Sequence, residues 1–392
     1  MKKLALTVLI FCYANVVLAQ LGFIKRIFSN EKDTTRKASF MPIPVFGYAQ
    51  ETGFEFGLGS IYSFYVDKQD TLNRSSNFFG AASYSTTGTY NITLRGDAWT
   101  KNNDLHFLGE LKFKEMPFNF YGIGNYTLED DQDRLVQQLV KMQFDAEKAI
   151  AKNVYTGLSL AFEQQKFTDK LSGGIYDSEQ KVYDKDGGKV LSIGLSQSYD
   201  SRNSNNYPTK GFFGRISYQY APPIFGRENF TGSQLRVNIR NFWPLAKKII
   251  LGVQGFYQTV QSDRNTPFYL YPQLGNDEIM RGYYGGRYRD ENLLAAQAEI
   301  RYRFMERLGL VLFGGTGKVF ANNESVLKDL KPNYGLGGRY FFDPEKGLSI
   351  RLDYGVGEKD QTKNAKVGFT LALQSLFRDI VGNSYTKLAS VC

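Results

Sequence analysis

The chain has 392 residues, with 42% apolar residues, a mean hydropathy of −0.36, and Lys+Arg 48 against Asp+Glu 39 for a formal charge of +9. Aromatics reach 15%, Tyr 26 and Phe 31 beside Trp 2, with Gly 39 and Pro 11; this bias toward strand and turn formers argues against a helical bundle or a doubly wound α/β enzyme. The positive excess is mild for the length and forms no Lys/Arg run, so no nucleic-acid partner is expected.

At the N-terminus, Met1-Lys2-Lys3 is followed by an apolar run from Leu4 to Val17, and Val17-Leu18-Ala19 before Gln20 fits a small-residue cleavage site. Residues 1–19 therefore read as a removable export signal, and residues 20–41 as a short polar and basic segment ahead of the first strand. Of the two cysteines, Cys12 lies in the signal and Cys392 is the last residue, so the exported chain has no internal disulfide. One histidine, His106, is too few for a histidine-based metal site, and neither a metal nor a cofactor is expected. His106 reads as a solvated or wall-facing side chain. Beyond Gln20 no apolar run reaches about 18 residues, so a membrane crossing has to be made by strands.

Strand periodicity is strongest toward the C-terminal half. From Leu293 to Met305, Leu294, Ala296, Ala298, Ile300, Tyr302 and Phe304 alternate with Gln297, Glu299, Arg301 and Arg303. Ser233 to Asn241 alternates likewise, as does Leu348 to Tyr354, where Ser349, Arg351 and Asp353 fill the polar face. In Lys366 to Phe377, Val367, Phe369, Leu371 and Leu373 share one side. Soluble strands usually run about 5–6 residues, whereas a tilted strand crossing hydrocarbon needs about 9–11. The longer kind, with a charged alternate face, predicts an all-β, transmembrane antiparallel barrel. Strand starts near Ile43, Phe54, Asn77, Tyr90, Leu105, Leu135, Tyr155, Val190, Phe212, Gly232, Ile249, Leu293, Leu308, Tyr334, Leu348 and Val367 make about sixteen strands. The barrel is placed at residues 42–377, with a tail over 378–392. A closed sheet is expected because an open edge in hydrocarbon leaves backbone groups without partners.

Connections are of two kinds. Trp99 to Asp104 and Asp343-Pro344-Glu345-Lys346-Gly347 are short turns; Lys166 to Lys189 and Ser262 to Asn292 are long. A connection of about thirty residues without strand character marks a functional or disordered loop.

That second long loop contains Gly275-Asn276-Asp277-Glu278-Ile279-Met280-Arg281-Gly282-Tyr283, which resembles the Arg-Gly-Phe/Tyr loop of the BamA/TamA/FhaC outer-membrane superfamily, the bacterial surface antigen family. It lies between the eleventh and twelfth predicted strands, the place of that family's long sixth outer loop. Tyr199-Asp200-Ser201-Arg202-Asn203 with Tyr207-Pro208-Thr209-Lys210-Gly211 resembles the family's strand-entry element, carried here by Asp200, Arg202, Pro208 and Gly211. Gly347 to Tyr354 looks like its penultimate strand, and Phe377 resembles its C-terminal membrane-targeting aromatic.

The resemblance implies a loop that folds back and plugs the lumen, with Gly282 permitting a bend, Tyr283 packing on the wall and Arg281 making a two-pronged contact with a wall carboxylate. The family's partner sits in a Phe-x-Asp-x-Gly element, but here the stretch reads Phe313-Gly314-Gly315-Thr316-Gly317, with Gly315 where the aspartate belongs. Asp353 or Glu299 is the expected substitute. Family members also carry POTRA modules of about 75 residues each ahead of the barrel, and residues 20–40 hold none. The tail after Phe377 is another departure.

Three functions follow. The first is an outer-membrane barrel assisting insertion or translocation of proteins, its partners being outer-membrane lipid, client proteins and accessory periplasmic subunits. The second is a passive or plugged pore, with Arg236, Arg240, Arg301, Arg303 and Arg351 favouring anionic solutes. The third is a structural surface antigen without transport. No enzyme is expected: Gly-x-Ser-x-Gly, His-Glu-x-x-His and Cys-x-x-Cys are all missing from the sequence.

Overall fold

A computed structural model of the chain describes residues 35–49, 52–128, 130–170, 172–226, 229–262, 264–276, 278–357, 367–374 and 389–391. The export signal, Phe377, Cys12 and Cys392 lie outside the described residues, as does most of the tail.

Hydrogen-bonded ladders form from β1 (Ser39–Ala49), β2 (Gly53–Tyr65), β3 (Ser75–Ser85), β4 (Tyr90–Trp99), β5 (Leu105–Phe120), β6 (Asp133–Ala151), β7 (Val154–Thr168), β8 (Gly187–Asp200), β9 (Gly211–Ala221), β10 (Gly232–Ala246) and β11 (Ile249–Ser262). After the long loop, with its own two-residue strands β12 (Gln273–Leu274) and β13 (Tyr288–Arg289), come β14 (Asn292–Tyr302), β15 (Leu308–Phe320), β16 (Lys331–Asp343), β17 (Leu348–Val356), β18 (Val367–Gln374) and β19 (Ala389–Val391). Apart from the β12–β13 hairpin, each strand pairs antiparallel with the next in sequence, giving a sheet of 17 strands. Each start read from the sequence falls within four residues of an observed one. Among the described residues the sheet has 17 strands against the expected sixteen or so, the difference being β19, a three-residue strand in the segment read as a tail. Among the described residues no ladder joins β1 to β18 or β19.

The reason these segments are strands is also the reason for the sheet's two unlike faces. Side chains alternate across a strand, so in β7 Leu158 and Leu160 are exposed while Ser159 is buried, and in β17 Leu352 is exposed between buried Arg351 and Asp353. Large apolar side chains thus cover the outward face, and the enclosed face is built from Arg, Lys, Asp, Glu and Asn. This distribution is inverted relative to a protein with an apolar core, and suits an apolar solvent outside. No helix among the described residues is long and apolar enough to cross a membrane.

At one end the connections are mostly tight, such as residues 152–153 and 247–248; at the other they are long and pack on one another. There Phe268, in a 3₁₀ turn over Phe268–Leu270, sets its ring 5.6 Å from Phe120, 4.7 Å from Phe167 and 5.2 Å from Tyr176. Val182, Val190, Phe230 and Val260 complete this apolar cluster. The loop expected to lack strand character therefore has a small hairpin, and backbone bridges Gly124–Arg289 and Tyr183–Pro267 tie it to its neighbours.

Candidate functional site

The loop 263–291 descends from this cluster onto the polar face of β14 to β17. Asn276 starts the descent, its Oδ1 accepting from the backbone N–H groups of Glu278 and Ile279 at 2.7 Å each. Met280 then adopts φ 57° and Gly282 φ 105°. The backbone at Gly282 lies directly on that of β17: a Cβ there would stand 2.7 Å from the Gly355 carbonyl carbon, and one on Gly355 would stand 2.9 Å from Arg281. Glycine on both sides permits this approach.

Arg281 is consequently pushed into the wall and is 1% exposed. Its Nη1 donates to Asp353 Oδ2 at 2.8 Å and its Nη2 to Glu299 Oε1 at 2.7 Å, while its Cζ stands 3.6 Å above the Phe313 ring. The structure thus brings Arg281 to both carboxylates that the sequence offered as alternatives. Phe313 of the Phe-x-x element supplies a cation–π platform, and the negative charge comes from β14 and β17 on either side. Gly315 explains the relocation: a Cβ there would stand 2.6 Å from the Ala296 carbonyl oxygen and 2.9 Å from Asn333 Oδ1. Aspartate at this position has no room, so Gly315→Asp is expected to destabilise the folded sheet by about 1–3 kcal/mol through overpacking, read as a lower urea midpoint; an unchanged midpoint would contradict the geometry. Asn333 Nδ2 caps the Arg281 carbonyl at 2.9 Å, and Tyr283 Oη donates to the Pro332 carbonyl at 2.6 Å.

The carboxylates are shared. Asp353 also accepts from Arg339 at 2.5 Å, with Arg351 at 3.9 Å, and Glu299 accepts from Arg301 Nε at 2.9 Å. Arg301 in turn donates to the Pro208 carbonyl at 3.4 Å, linking this site to the second predicted motif.

That motif forms the β8–β9 turn, residues 201–210. Arg202 grips Asp200 with two parallel bonds, 2.9 and 2.8 Å, and Arg74 adds a contact to the same carboxylate at 2.8 Å. Asn203 Oδ1 accepts from the N–H groups of Thr209 and Lys210, closing the turn, and Gly211 leaves it at φ 107°. The turn reaches well beyond its own strands: Asn206 Nδ2 donates to Ser75 Oγ at 3.0 Å and to the Lys346 carbonyl at 2.9 Å. Tyr207 packs edge-on against Phe341 with centroids 4.9 Å apart. Asp200, Arg202, Pro208 and Gly211 thus lie in or beside one turn, and it is Asn206 and Tyr207 of that turn that reach across the tight-turn end. Arg240 and Arg301 line a small cavity beside it, whereas Arg236 lines a separate one with Arg215. Arg303 lies outside both, over the Phe341 ring at 4.2 Å.

His106, read as solvated or wall-facing, is in fact buried at 6% exposure. Its Nδ1 faces Glu147 Oε2 and its Nε2 faces Asp97 Oδ1, both at 3.0 Å, and its ring stacks on Trp99 at 3.7 Å. Glu147 further accepts from Ser196 at 3.0 Å and lies 3.1 Å from Arg215. Sequence reasoning missed this network because its members come from five strands; it also missed the apolar cluster, although Phe268-Tyr269-Leu270-Tyr271 between Pro267 and Pro272 is a visible apolar run inside a loop. In that loop burial holds the Asp290 carboxyl above the ordinary carboxylate value and the Tyr271 phenol above the ordinary tyrosine value.

Comparison with solved structures returns the same architecture. BamA from Haemophilus ducreyi lacking POTRA domains 1–3 aligns with a TM-score of 0.55 at 12% identity, over 87% of this chain and 70% of that one. CdiB from Acinetobacter baumannii gives 0.53 at 12% identity over 86% and 60%, and CdiB from Escherichia coli gives 0.56 at 10% identity over 86% and 62%. The chain thus spans about three fifths of the CdiB structures. No curated protein matches it in sequence. Residues 45–374 match the Omp85 superfamily domain, so the chain belongs to the Omp85 superfamily.

Proposed function

We propose that the chain is an outer-membrane barrel whose loop 263–291 plugs the lumen and which assists insertion or translocation of proteins at the outer membrane. Omp85 proteins are outer-membrane barrels that work with client proteins and partners, and the apolar outward face supports the same placement here. In this reading residues 1–19 are cleaved on export, the long loops face outward, the tight turns face the periplasm, and accessory periplasmic subunits deliver clients. The chain acts without catalysis, by offering strand edges.

The observation that carries the reading is where this sheet is strong and where it is weak. Among the described residues β2 to β11 and β14 to β18 each have a hydrogen-bonded neighbour on both sides, while β1 has a ladder on one side alone. Meanwhile the anchored Arg281 loop and the spanning β8–β9 turn occupy the enclosed space. A barrel obstructed along its axis, with no ladder joining β1 to β18 or β19 among the described residues, acts laterally, on strands, rather than axially, on solutes.

The arginine-rich enclosed face supports the rival reading, a pore for anionic solutes. Two measurements separate them. Depletion of the protein, followed by a mass-spectrometric inventory of the outer membrane, is expected to lower a defined set of barrel or exported proteins. In planar bilayers the purified protein is expected to give no steady current. An unchanged inventory with a large, anion-selective current would replace the assembly reading by the pore, and neither effect would leave the structural surface-antigen role.

A further inference from the structure

The apolar outward face is interrupted across β6, β7 and β8. Lys148 of β6 shares its face with Met142, Phe144 and Ile150, Thr156 of β7 with Leu158 and Leu160, and Gln197 of β8 with Ile193, Leu195 and Tyr199; all of these are exposed. The register sets the three polar residues side by side, Lys148↔Thr156 and Thr156↔Gln197. Neighbouring strands lie about 5 Å apart, so the row is about 10 Å wide. It is not the lower edge of the apolar band. Ile150 and Tyr199 lie on its turn side and Phe144, Leu158 and Leu195 on its other side, so apolar side chains flank it in both directions. For a strand tilted by about 40°, Lys148 stands about 10 Å from the 152–153 turn along the barrel axis.

The donors of this row remain open. The Thr156 hydroxyl donates to Gln197 Oε1 at 2.7 Å, which fixes the amide and leaves its nitrogen to face another acceptor. Among the described residues nothing accepts from that nitrogen, and no carboxylate pairs with Lys148; Glu147 beside it points inward, to His106 and Arg215. An ammonium and an amide nitrogen set against acyl chains are both costly unless negative oxygen reaches them. A ligand that brings such oxygens together with its own hydrocarbon meets the row and its apolar flanks at once.

We propose that Lys148, Thr156 and Gln197 form a binding site for the phosphate of an anionic phospholipid. Lys148 and the Gln197 amide donate to the phosphate oxygens, Thr156 holds the amide in place, and Phe144, Leu158 and Leu195 pack on the acyl chains. The row contains no carboxylate to receive the amine of a zwitterionic headgroup, so a headgroup of net negative charge is preferred. Its position near the tight turns assigns it to the periplasmic leaflet. The inference rests on the reading of the chain as an outer-membrane barrel with those turns toward the periplasm; it needs no client.

The full-length protein, delipidated in a neutral detergent, is titrated with phosphatidylglycerol and read by native mass spectrometry, with phosphatidylcholine, lipid A and inorganic phosphate as separate probes. A saturable phosphatidylglycerol adduct is expected, several-fold tighter than that of phosphatidylcholine and not displaced by inorganic phosphate. Lys148→Gln should weaken it several-fold, and so should Thr156→Val combined with Gln197→Leu. Lys152→Gln removes the same charge at the turn and should leave it unchanged. All these positions are exposed, and the faster gel migration of unheated samples reports that each variant has folded. Equal binding of phosphatidylglycerol and phosphatidylcholine, an equal loss in Lys152→Gln, or no loss in either row variant overturns the assignment. Preference for lipid A overturns the leaflet and the ligand, and displacement by inorganic phosphate makes this a site for the free ion instead. A folded barrel without the adduct refutes the lipid site alone, whereas a chain that does not enter liposomes as a heat-modifiable barrel removes the outer-membrane reading and the site with it.

Discussion

Arg281→Ala is expected to lower the stability of the folded barrel by about 3–5 kcal/mol, because it removes two buried charge-assisted hydrogen bonds and the Phe313 ring contact at once, although Asp353 keeps Arg339 and Glu299 keeps Arg301. The guanidinium is sealed between Asp353, Glu299 and the Phe313 ring, so no water takes its place. The measurement is the urea midpoint of the barrel in detergent, followed by the faster gel migration of unheated samples. Arg281→Lys keeps the charge but loses the planar fork and much of the ring contact, and should recover only part of the loss. A reciprocal exchange of Arg281 with Asp353 isolates little, since Asp353 also holds Arg339 and Arg351. A double-mutant cycle of Arg281→Ala with Glu299→Gln is cleaner. Coupling near zero there, or wild-type stability for the alanine variant, would mean that the loop is not fastened by this contact.

A loss of comparable size, about 3–5 kcal/mol, is expected for His106→Ala. Carboxylate oxygens facing both ring nitrogens can only accept, so both nitrogens donate and the ring balances two buried acids. Glu147 retains Arg215 and Ser196 when the ring is removed; Asp97 is the group left stranded. His106→Phe preserves an aromatic ring on Trp99 yet should be nearly as damaging, and adding Asp97→Asn should restore a substantial part of the stability. If His106→Phe unfolds at the wild-type urea concentration, stacking rather than charge balance holds this site together.

Much of the fold is legible because one face of each strand must be apolar and the other polar, and that requirement repeats every second residue. Glu299, Arg301, Arg351 and Asp353 could be assigned to the enclosed face on this ground alone. Which of them meet could not, since contact depends on register between strands distant in sequence. Asp353 and Glu299 could both be named for Arg281, but only the crowding around Gly315 shows why the acid does not stand at that position of β15. His106 is the sharper failure: its partners lie 9 and 41 positions away, on strands whose register no local pattern fixes. β19 was invisible for a different reason, as three residues are too few to display a period.

The β8–β9 turn also has a consequence for how the chain reaches this state. Asn206 meets the Lys346 carbonyl across 140 positions, and Tyr207 meets Phe341 across a comparable span. Neighbouring hairpins can zip in order as they emerge, but this tie must wait for the β16–β17 hairpin, after most of the chain is in place. It is therefore a late latch: intermediates arrested before it should show a nearly complete ladder with Tyr207 still open to protease or solvent label, and the rate at which that exposure disappears is a clock for the last stage of maturation.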